Sequence, residues 1–86
     1  MMDLNLLRVL DVLLQESSVT RAAERLGTSP PAVSRALARL RRQAGDPLLV
    51  RAGQGLVPTQ RAIDIHQQLS ALLADADEIL RPGTGF

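Results

Sequence analysis

The spacing of leucines predicts that the chain begins with an amphipathic helix. Apolar residues recur at the three- and four-residue intervals that place side chains on one helix face, at Leu6, Leu7, Leu10, Leu13 and Leu14. Asp3 can accept a hydrogen bond from a first-turn N–H and so cap this helix. The pattern breaks at Ser17-Ser18, so we expect the helix to end near Glu16.

A short second helix is predicted from Val19 to Leu26. Ser18 can cap its start, and Gly27 can end it because glycine reaches positive φ at little steric cost. Its inward residues are expected to be Ala22, Ala23 and Leu26.

A third helix is predicted over residues 30–43, and the run at 45–47 (Gly-Asp-Pro) stops it. Thr28 or Ser29 caps this helix, and Pro30-Pro31 falls in its first turn, where a missing N–H is harmless. The inner face is expected to consist of Val33, Leu37, Leu40 and Ala44.

Two short extended runs, 48–51 and 56–58, flank a Gly-rich turn and predict a β-hairpin. Thr59 can cap a fourth helix that runs to about Leu80. The order predicts a mainly α fold, a winged helix-turn-helix of three helices and a small β-hairpin wing, followed by a long dimerisation helix. We expect the winged domain over 1–58, the linker helix over 59–81 and the start of an interdomain linker over 82–86.

The second and third helices have the residues that a helix-turn-helix requires. Ala23 is small where the helices cross, Gly27 follows four residues later in the turn, and Val33 can lock the third helix in place. An ordinary helical hairpin shares some of these features, so charge and surface chemistry must decide between the two.

The charge of the chain is segregated. Residues 21–61 contain eight arginines against two acidic residues, whereas both flanking segments are net acidic. A basic centre is typical of a surface that binds a polyanion such as DNA, although a solvated charged face has the same composition.

The outward face of the third helix has residues suited to reading bases in the major groove. Arg35 can donate two hydrogen bonds to guanine, and Ser34 can reach a base or a phosphate. Pro31 and Ala32 offer apolar contact to a thymine methyl, with Pro30 beside them. These residues predict sequence-specific binding of double-stranded DNA.

Other residues are candidates for contacts to the DNA backbone. Arg39 and Arg42 lie farther along the third helix, where phosphates are the expected partners. Arg41 lies beside them, and for all three a solvated charged face is the alternative to a DNA contact. Arg51 and Gln54 at the wing tip can reach phosphates or the minor groove. Thr59 can act at a helix start that favours anions, or simply as a cap.

The fourth helix has an apolar stripe too long for a domain of 86 residues to cover. A second copy of the chain would bury it, which predicts a homodimer and a pseudo-palindromic DNA site. The residues assigned to this dimer interface are Ile65, Leu69, Leu72, Leu73, Ala76, Ile79 and Leu80.

The sequence argues against other classes of function. It has no cysteine, and His66 is the single histidine, so we expect no metal site, no cofactor and no catalytic constellation. His66 is interpreted as structural. No apolar run is long enough to span a membrane, and no signal peptide is apparent, which fits a cytoplasmic protein.

The chain resembles the N-terminal region of LysR-type transcriptional regulators. The resemblance rests on SVTRAAERLG at 18–27, SPPAVSRAL at 29–37 and GDPLLVR at 45–51. It implies a bacterial regulator whose linker helix dimerises and whose dimers pair into tetramers in a full-length protein. It also implies that the DNA contacts include Thr20, Ser29, Pro31, Ala32, Ser34, Arg35 and Arg51.

The chain departs from this family at three points. Pro30 stands where the family usually has Gln, which removes an amide that contacts bases, and Gln54 stands where Arg or Lys is common. The sequence ends where the effector-binding domain would begin. We therefore expect a DNA-binding fragment that binds no effector, with a naturally short regulator as the alternative.

One rival from another class stays open. In a protein-interaction module the winged helix is only a scaffold, and the long helix binds a partner protein. Steep weakening of binding with added salt would favour DNA over an apolar helix contact.

Overall fold

The computed structural model describes residues 3–82, which form four helices and one two-stranded antiparallel sheet. The elements are α1 (Leu4–Glu16), α2 (Val19–Leu26), α3 (Pro30–Ala44), β1 (Leu49–Ala52), β2 (Gly55–Pro58) and α4 (Gln60–Ile79). This order confirms the predicted mainly α winged helix-turn-helix. The predicted interdomain linker lies outside the described residues except for Pro82, which is exposed.

Each helix begins at a polar cap whose side chain accepts a first-turn N–H, namely Asp3, Ser18, Ser29 and Thr59. The cap of α3 is therefore Ser29 rather than Thr28. Gly27 and Gly45 end α2 and α3 in the left-handed conformation, with φ of 67° and 63°. α3 extends to Ala44, one residue beyond the predicted end.

The core is centred on α1, which contacts α2, α3 and α4. Because its neighbours surround more than one face, the buried surface of α1 is wider than the predicted stripe and includes Val12, whereas Leu7 is only half-buried. The core residues are Leu6, Leu10, Val12, Leu13, Leu14, Ala22, Ala23, Val33, Leu37, Leu40, Leu48, Leu49, Ala62 and Leu69.

The wing is a tight hairpin in which Leu49 pairs with Pro58 and Ala52 with Gly55. Only two residues form the turn, and Gly53 there has a φ of 60°. The prediction that Leu48 begins the first strand is wrong. Leu48 has a left-handed φ of 65°, which is unfavourable for leucine, but its side chain is fully buried and its N–H donates to Asp46 Oδ2 at 2.8 Å.

α4 packs against α1 from its start as far as Asp77, whose carboxylate lies 3.7 Å from Arg8 Nη2, and only its last residues extend beyond the domain. Ala62 and Leu69 belong to the same core as α1–α3, while residues 74–80 are all exposed. This projection gives the described residues extents of 51 × 26 × 26 Å. Among these residues, no helix is both long and apolar enough to cross a membrane.

Candidate nucleic-acid interface

α3 presents a polar and basic face to solvent. Val33, Leu37 and Leu40 are buried against the rest of the domain, which turns the opposite side of the helix outward. The side chains predicted to meet DNA lie on that side. Pro30, Pro31, Ser34, Arg35, Arg39 and Arg42 are exposed, and Ala32 is half-buried.

The first turn of α3 has no free backbone donor. Pro30 and Pro31 occupy its first two positions and lack an N–H. The N–H of Ala32 donates to Ser29 Oγ at 3.3 Å, and the N–H of Val33 donates to the Ser29 carbonyl at 3.1 Å. The tip of this helix therefore presents proline rings and a methyl group rather than amide donors.

The start of α2 and the wing form the two walls of an open cleft. Thr20, Arg51 and Gln54, which are far apart in the sequence, line it together. The N–H groups of Val19 and Thr20 have no acceptor within the helix, because the first helical N–H groups never do. The cleft therefore combines backbone donors, a hydroxyl, an amide and a guanidinium, which together suit a phosphate.

The strand register gives the wing two different faces. Successive side chains alternate across a strand, so Arg51 lies on the same face as Leu49, opposite Leu56. That face borders the cleft at the start of α2. Val50 and Val57 form a cross-strand pair on the other face and are 38% and 41% exposed.

Two arginines of the basic centre are paired with an acidic residue of α1. Arg21 Nε lies 3.4 Å from one Glu16 carboxylate oxygen, and Arg25 Nη1 lies 3.0 Å from the other. Their charges are therefore partly compensated. In contrast, Arg35, Arg39 and Arg42 form no ion pair with any of residues 3–82. Arg35, Arg39 and Arg42 therefore leave uncompensated positive charge on the outer face of α3.

Arg41 has a structural role that the sequence reasoning missed. Its Nε donates to the Pro47 carbonyl and its Nη2 to the Leu49 carbonyl, both at 2.8 Å. These bonds tie the end of α3 to the base of the wing. The sequence alone predicts either a DNA contact or a solvated side chain for Arg41. Its place in the last helical turn, where cations favour the free carbonyls, was the available signal.

Asp46 and Thr59 form a second connection at the base of the wing. The Thr59 hydroxyl donates to Asp46 Oδ2 at 2.7 Å and accepts the N–H of Ala62 at 3.1 Å. The hydrogen bonds from Thr59 and from the Leu48 N–H, aided by the charge of Arg61, lower the pKa of Asp46. The only hydroxyl proton of Thr59 is donated to Asp46, so Thr59 acts as the cap of α4. The prediction that Thr59 marks a phosphate contact rests on the free backbone N–H groups at this helix start and stays a prediction.

His66 lies between α4 and α1 rather than in a reactive site. Its Nε2 is 3.3 Å from Asp11 Oδ1, and Asp11 Oδ2 accepts a hydrogen bond from Gln15 at 2.9 Å. The interpretation of His66 as structural agrees with this position. Within residues 3–82, no group of three or more His, Cys, Asp or Glu side chains could hold a metal ion.

The apolar stripe of α4 is divided between the core and solvent. Leu69 is 4% exposed and packs into the core, so assigning it to a dimer interface is wrong, because α1 covers this part of the helix. Ile65 and Leu73 are half-buried. The exposed members are Leu72, Ala76, Ile79 and Leu80. Leu72, Leu73 and Ala76 line a groove with Leu4 and Leu7 of α1.

Comparison with known proteins identifies the family to which this chain belongs. The family model of the bacterial regulatory helix-turn-helix proteins of the lysR family matches residues 4–63, which is more than half of the chain. The chain belongs to the lysR family. The matched segment contains α1–α3, the wing and the first residues of α4, so it includes every candidate DNA contact described above.

Both sequences and solved structures of lysR-family proteins resemble this chain over most of its length. The HTH-type transcriptional regulator LeuO of Escherichia coli (strain K12) is 48% identical over 86 residues, which is 100% of this chain and 27% of LeuO. The crystal structure of the probable transcriptional regulator PA0477 from Pseudomonas aeruginosa has a TM-score of 0.87 at 41% identity, over 96% of this chain and 29% of that one.

A third relative was solved with DNA. The BenM DNA-binding domain in complex with catB site 1 DNA has a TM-score of 0.85 at 29% identity and covers 92% of this chain and 88% of its own. The relatives found by sequence are named as transcriptional regulators, not as enzymes. This chain spans about a quarter of the length of these curated relatives.

Proposed function

We propose that this chain binds double-stranded DNA sequence-specifically as the DNA-binding part of a bacterial transcription regulator. The observation that carries the proposal is the outer face of α3, where Ser34 and Arg35 are exposed while Val33 and Leu37 hold the helix in place. A helix presented in this way enters the major groove at its N-terminal end. The DNA complex of the BenM domain, which has the same fold, supports this arrangement.

Within this arrangement, Arg35 and Ser34 select bases, and the remaining polar residues hold the DNA backbone. Arg39 and Arg42 lie one and two turns beyond Arg35 on the exposed face, where phosphates flank the groove. Thr20, Arg51 and Gln54 hold a second phosphate at the cleft between α2 and the wing. Ser29 contributes its hydroxyl proton to the backbone beside the α3 tip.

The chain acts as a homodimer in this proposal. The second half of α4 has exposed apolar residues that a single chain leaves uncovered, with Leu72, Ile79 and Leu80 exposed by 51%, 78% and 88%. A partner copy packed on them with twofold symmetry would bind two half-sites, which predicts a pseudo-palindrome. In a longer regulator, an effector domain follows α4, dimers pair into tetramers, and the protein acts on DNA in the cytoplasm.

The base-reading role of Arg35 is tested by measuring binding to a site selected from a random DNA pool and to unrelated DNA. Arg35→Ala is expected to weaken binding to the selected site by about 1–3 kcal/mol, or about 5- to 150-fold, and to relax discrimination at one base pair. Binding to unrelated DNA should change far less. Arg81→Ala is the matched control, because Arg81 is exposed and pairs only with Glu78 of α4 among the described residues. Equal losses on both DNAs would contradict the proposal.

The exposed end of α4 also favours the rival function, in which this helix binds a partner protein. Salt dependence separates the two. A DNA complex with about six to ten phosphate contacts loses about 10³- to 10⁵-fold in affinity between 50 and 200 mM salt, whereas an apolar helix contact does not. A binding partner retained at high salt, together with no selectable DNA site, would support the protein-interaction module instead.

The dimer is tested separately by sedimentation. Leu72→Glu places a charge in the uncovered apolar surface and should shift the chain toward the monomer. Ala71→Glu, at an exposed position next to it, should leave the association unchanged. A monomeric wild-type chain, or equal effects of both variants, would contradict the assigned interface.

A further inference from the structure

We infer that the tip of α3 reads the 5-methyl groups of pyrimidine bases rather than their hydrogen-bonding edges, and that Pro30 is a specificity-determining residue for this readout. The inference deepens the proposed function, since it requires α3 to lie in the major groove. The chemical target of the Pro30-Pro31-Ala32 tip is then a methyl group, which a standard base pair presents only on thymine.

The tip lacks the groups that read bases by hydrogen bonding. Pro30 and Pro31 have neither an N–H nor a polar side-chain atom, and the N–H of Ala32 is already bonded to Ser29 Oγ. The first side chains on α3 that can donate to a base edge are Ser34 and Arg35, about one turn farther along. Hydrogen-bond readout therefore begins one turn inside the helix.

The same tip is apolar and exposed. Both proline rings are on the surface, and the Ala32 methyl is half-buried beside them. In the major groove, the one apolar group that a standard base pair presents is the C5-methyl of thymine. The rings are rigid, so contact with that methyl costs no rotamer entropy. A 5-methylcytosine presents its methyl at the corresponding carbon, so the tip should accept it as well.

A purely structural role for the prolines makes a different prediction. Proline is common in the first turn of helices, and Pro30 and Pro31 also help to start α3. If that were their only role, replacing Pro30 would change stability and would weaken binding to all DNA equally. It would not change discrimination between two bases that differ only by a methyl group.

The experiment removes and adds single methyl groups in the selected DNA site. Each thymine of one half-site is replaced by uracil, and each cytosine by 5-methylcytosine, and binding of the whole chain is measured. At one or two adjacent positions, uracil should weaken binding about three- to five-fold, the value of one lost methyl contact. At such a position, 5-methylcytosine should bind better than cytosine by a similar factor.

Two variants connect this effect to the tip. Pro30→Gln introduces a flexible amide and should remove most of the thymine–uracil difference, with a gain for adenine at that step. Pro30→Ala retains a small apolar group and should keep part of the difference. A thymine outside the footprint is the control for the DNA, and thermal unfolding of both variants establishes that they fold.

The outcomes separate this inference from the proposed function. Specific binding with no effect of uracil at any position would overturn the methyl readout and leave the proposed function intact. A thymine–uracil difference that survives Pro30→Gln unchanged would overturn the role of Pro30. Failure to select any DNA site would refute the proposed function itself, and the methyl readout with it.

Discussion

The starts of α2 and α3 have the same type of serine cap and yet present chemically different surfaces. In each helix a serine accepts the N–H of the residue three positions on, at 3.2 Å from Ser18 and 3.3 Å from Ser29. After the cap the two sequences diverge. α2 continues with Val19 and Thr20, which keep their N–H groups, whereas α3 continues with two prolines, which have none. Capping therefore decides where a helix starts, and the next two residues decide what that start can bind.

The surroundings of the two starts extend this difference. The start of α2 faces Arg51 and Gln54 of the wing across the open cleft, so its free donors are reinforced by a positive charge. The start of α3 borders a mostly apolar groove that includes Val9, Leu26 and Ala36. One start is thus suited to a phosphate and the other to an apolar group of a base.

The largest expected effect comes from a variant that disturbs the packing of α2 on α3, because this packing fixes the position of one helix start relative to the other. Ala23 is 1% exposed where α2 packs on α3. Ala23→Leu inserts bulk into this contact and should destabilise the chain by about 1–3 kcal/mol, measured by denaturant unfolding. Binding to specific and to unrelated DNA should both fall. Ala71→Leu, at an exposed position, should stay within about 0.5 kcal/mol of the wild type. Unchanged stability of Ala23→Leu would show that the crossing is not tightly packed.

A matched pair of cap variants tests whether the two caps contribute equally to the stability of the chain but differently to its binding of DNA. Ser18→Ala and Ser29→Ala each remove one cap bond and should each cost about 0.5–2 kcal/mol of unfolding free energy. At a temperature where both variants are folded, Ser18→Ala should weaken binding to all DNA sequences. Ser29→Ala should also change the base preference at the α3 tip, because the lost bond holds the N–H of Ala32 and with it the tip in place. Identical binding profiles for the two variants would remove the distinction drawn between the two starts.

Arg51→Ala tests the phosphate contact proposed at the start of α2. If Arg51 neutralises one phosphate beside α2, its loss should weaken binding uniformly across sequences and reduce the salt slope by about 0.9. The variant should then lose about three- to four-fold less affinity than the wild type between 50 and 200 mM salt. Arg25→Ala is the control, because Arg25 already pairs with Glu16. A change in base preference on Arg51→Ala would contradict a phosphate role.

The smallest expected effect concerns pH and the hydrogen bonds of Asp46 at the base of the wing. Asp46 accepts hydrogen bonds from Thr59 and Leu48, and they lower its pKa below the ordinary value of 3.8. A lowered folded-state pKa means that the charged form stabilises the fold above the ordinary value. This stabilisation is lost as the pH falls through the lowered pKa.

The unfolding free energies of the wild type and of Asp46→Asn, measured between about pH 3 and 7, check this expectation. Their difference should be constant near neutral pH and should shrink in the acidic range. Ser70→Ala, a change without a titratable group at an exposed position of α4, should differ from the wild type by the same amount at every pH. A difference that does not depend on pH would mean that the charge of Asp46 does not stabilise the base of the wing.

Most of the local structure could be predicted because its causes lie within a few residues. The serine and threonine caps, the left-handed Gly27 and Gly45, and the turn at Gly53 each depend on the conformational range of a residue and its immediate neighbours. The outward face of α3 was likewise predictable, because Val33, Leu37 and Leu40 fix the inward direction by helical periodicity. The candidate base contacts Ser34 and Arg35 follow from the same periodicity.

The features that the sequence did not predict depend on contacts between separate elements. Leu48 adopts a left-handed conformation because burial of its side chain and its bond to Asp46 outweigh the local preference. Arg41 donates to the carbonyl groups of Pro47 and Leu49 because the hairpin folds back beside the end of α3. Leu69 is buried because α1 covers this part of α4, which the periodicity of α4 cannot reveal.

The sequence by itself therefore determined the helices, their caps and the chemistry of each helix start, because these follow from steric and hydrogen-bonding preferences over short distances. Only the tertiary structure decided which charges stay uncompensated, which part of the α4 stripe stays exposed and which residues share the cleft beside α2. Those properties depend on how Glu16, Arg51 and Leu69 meet residues from other elements, and packing alone brings them together.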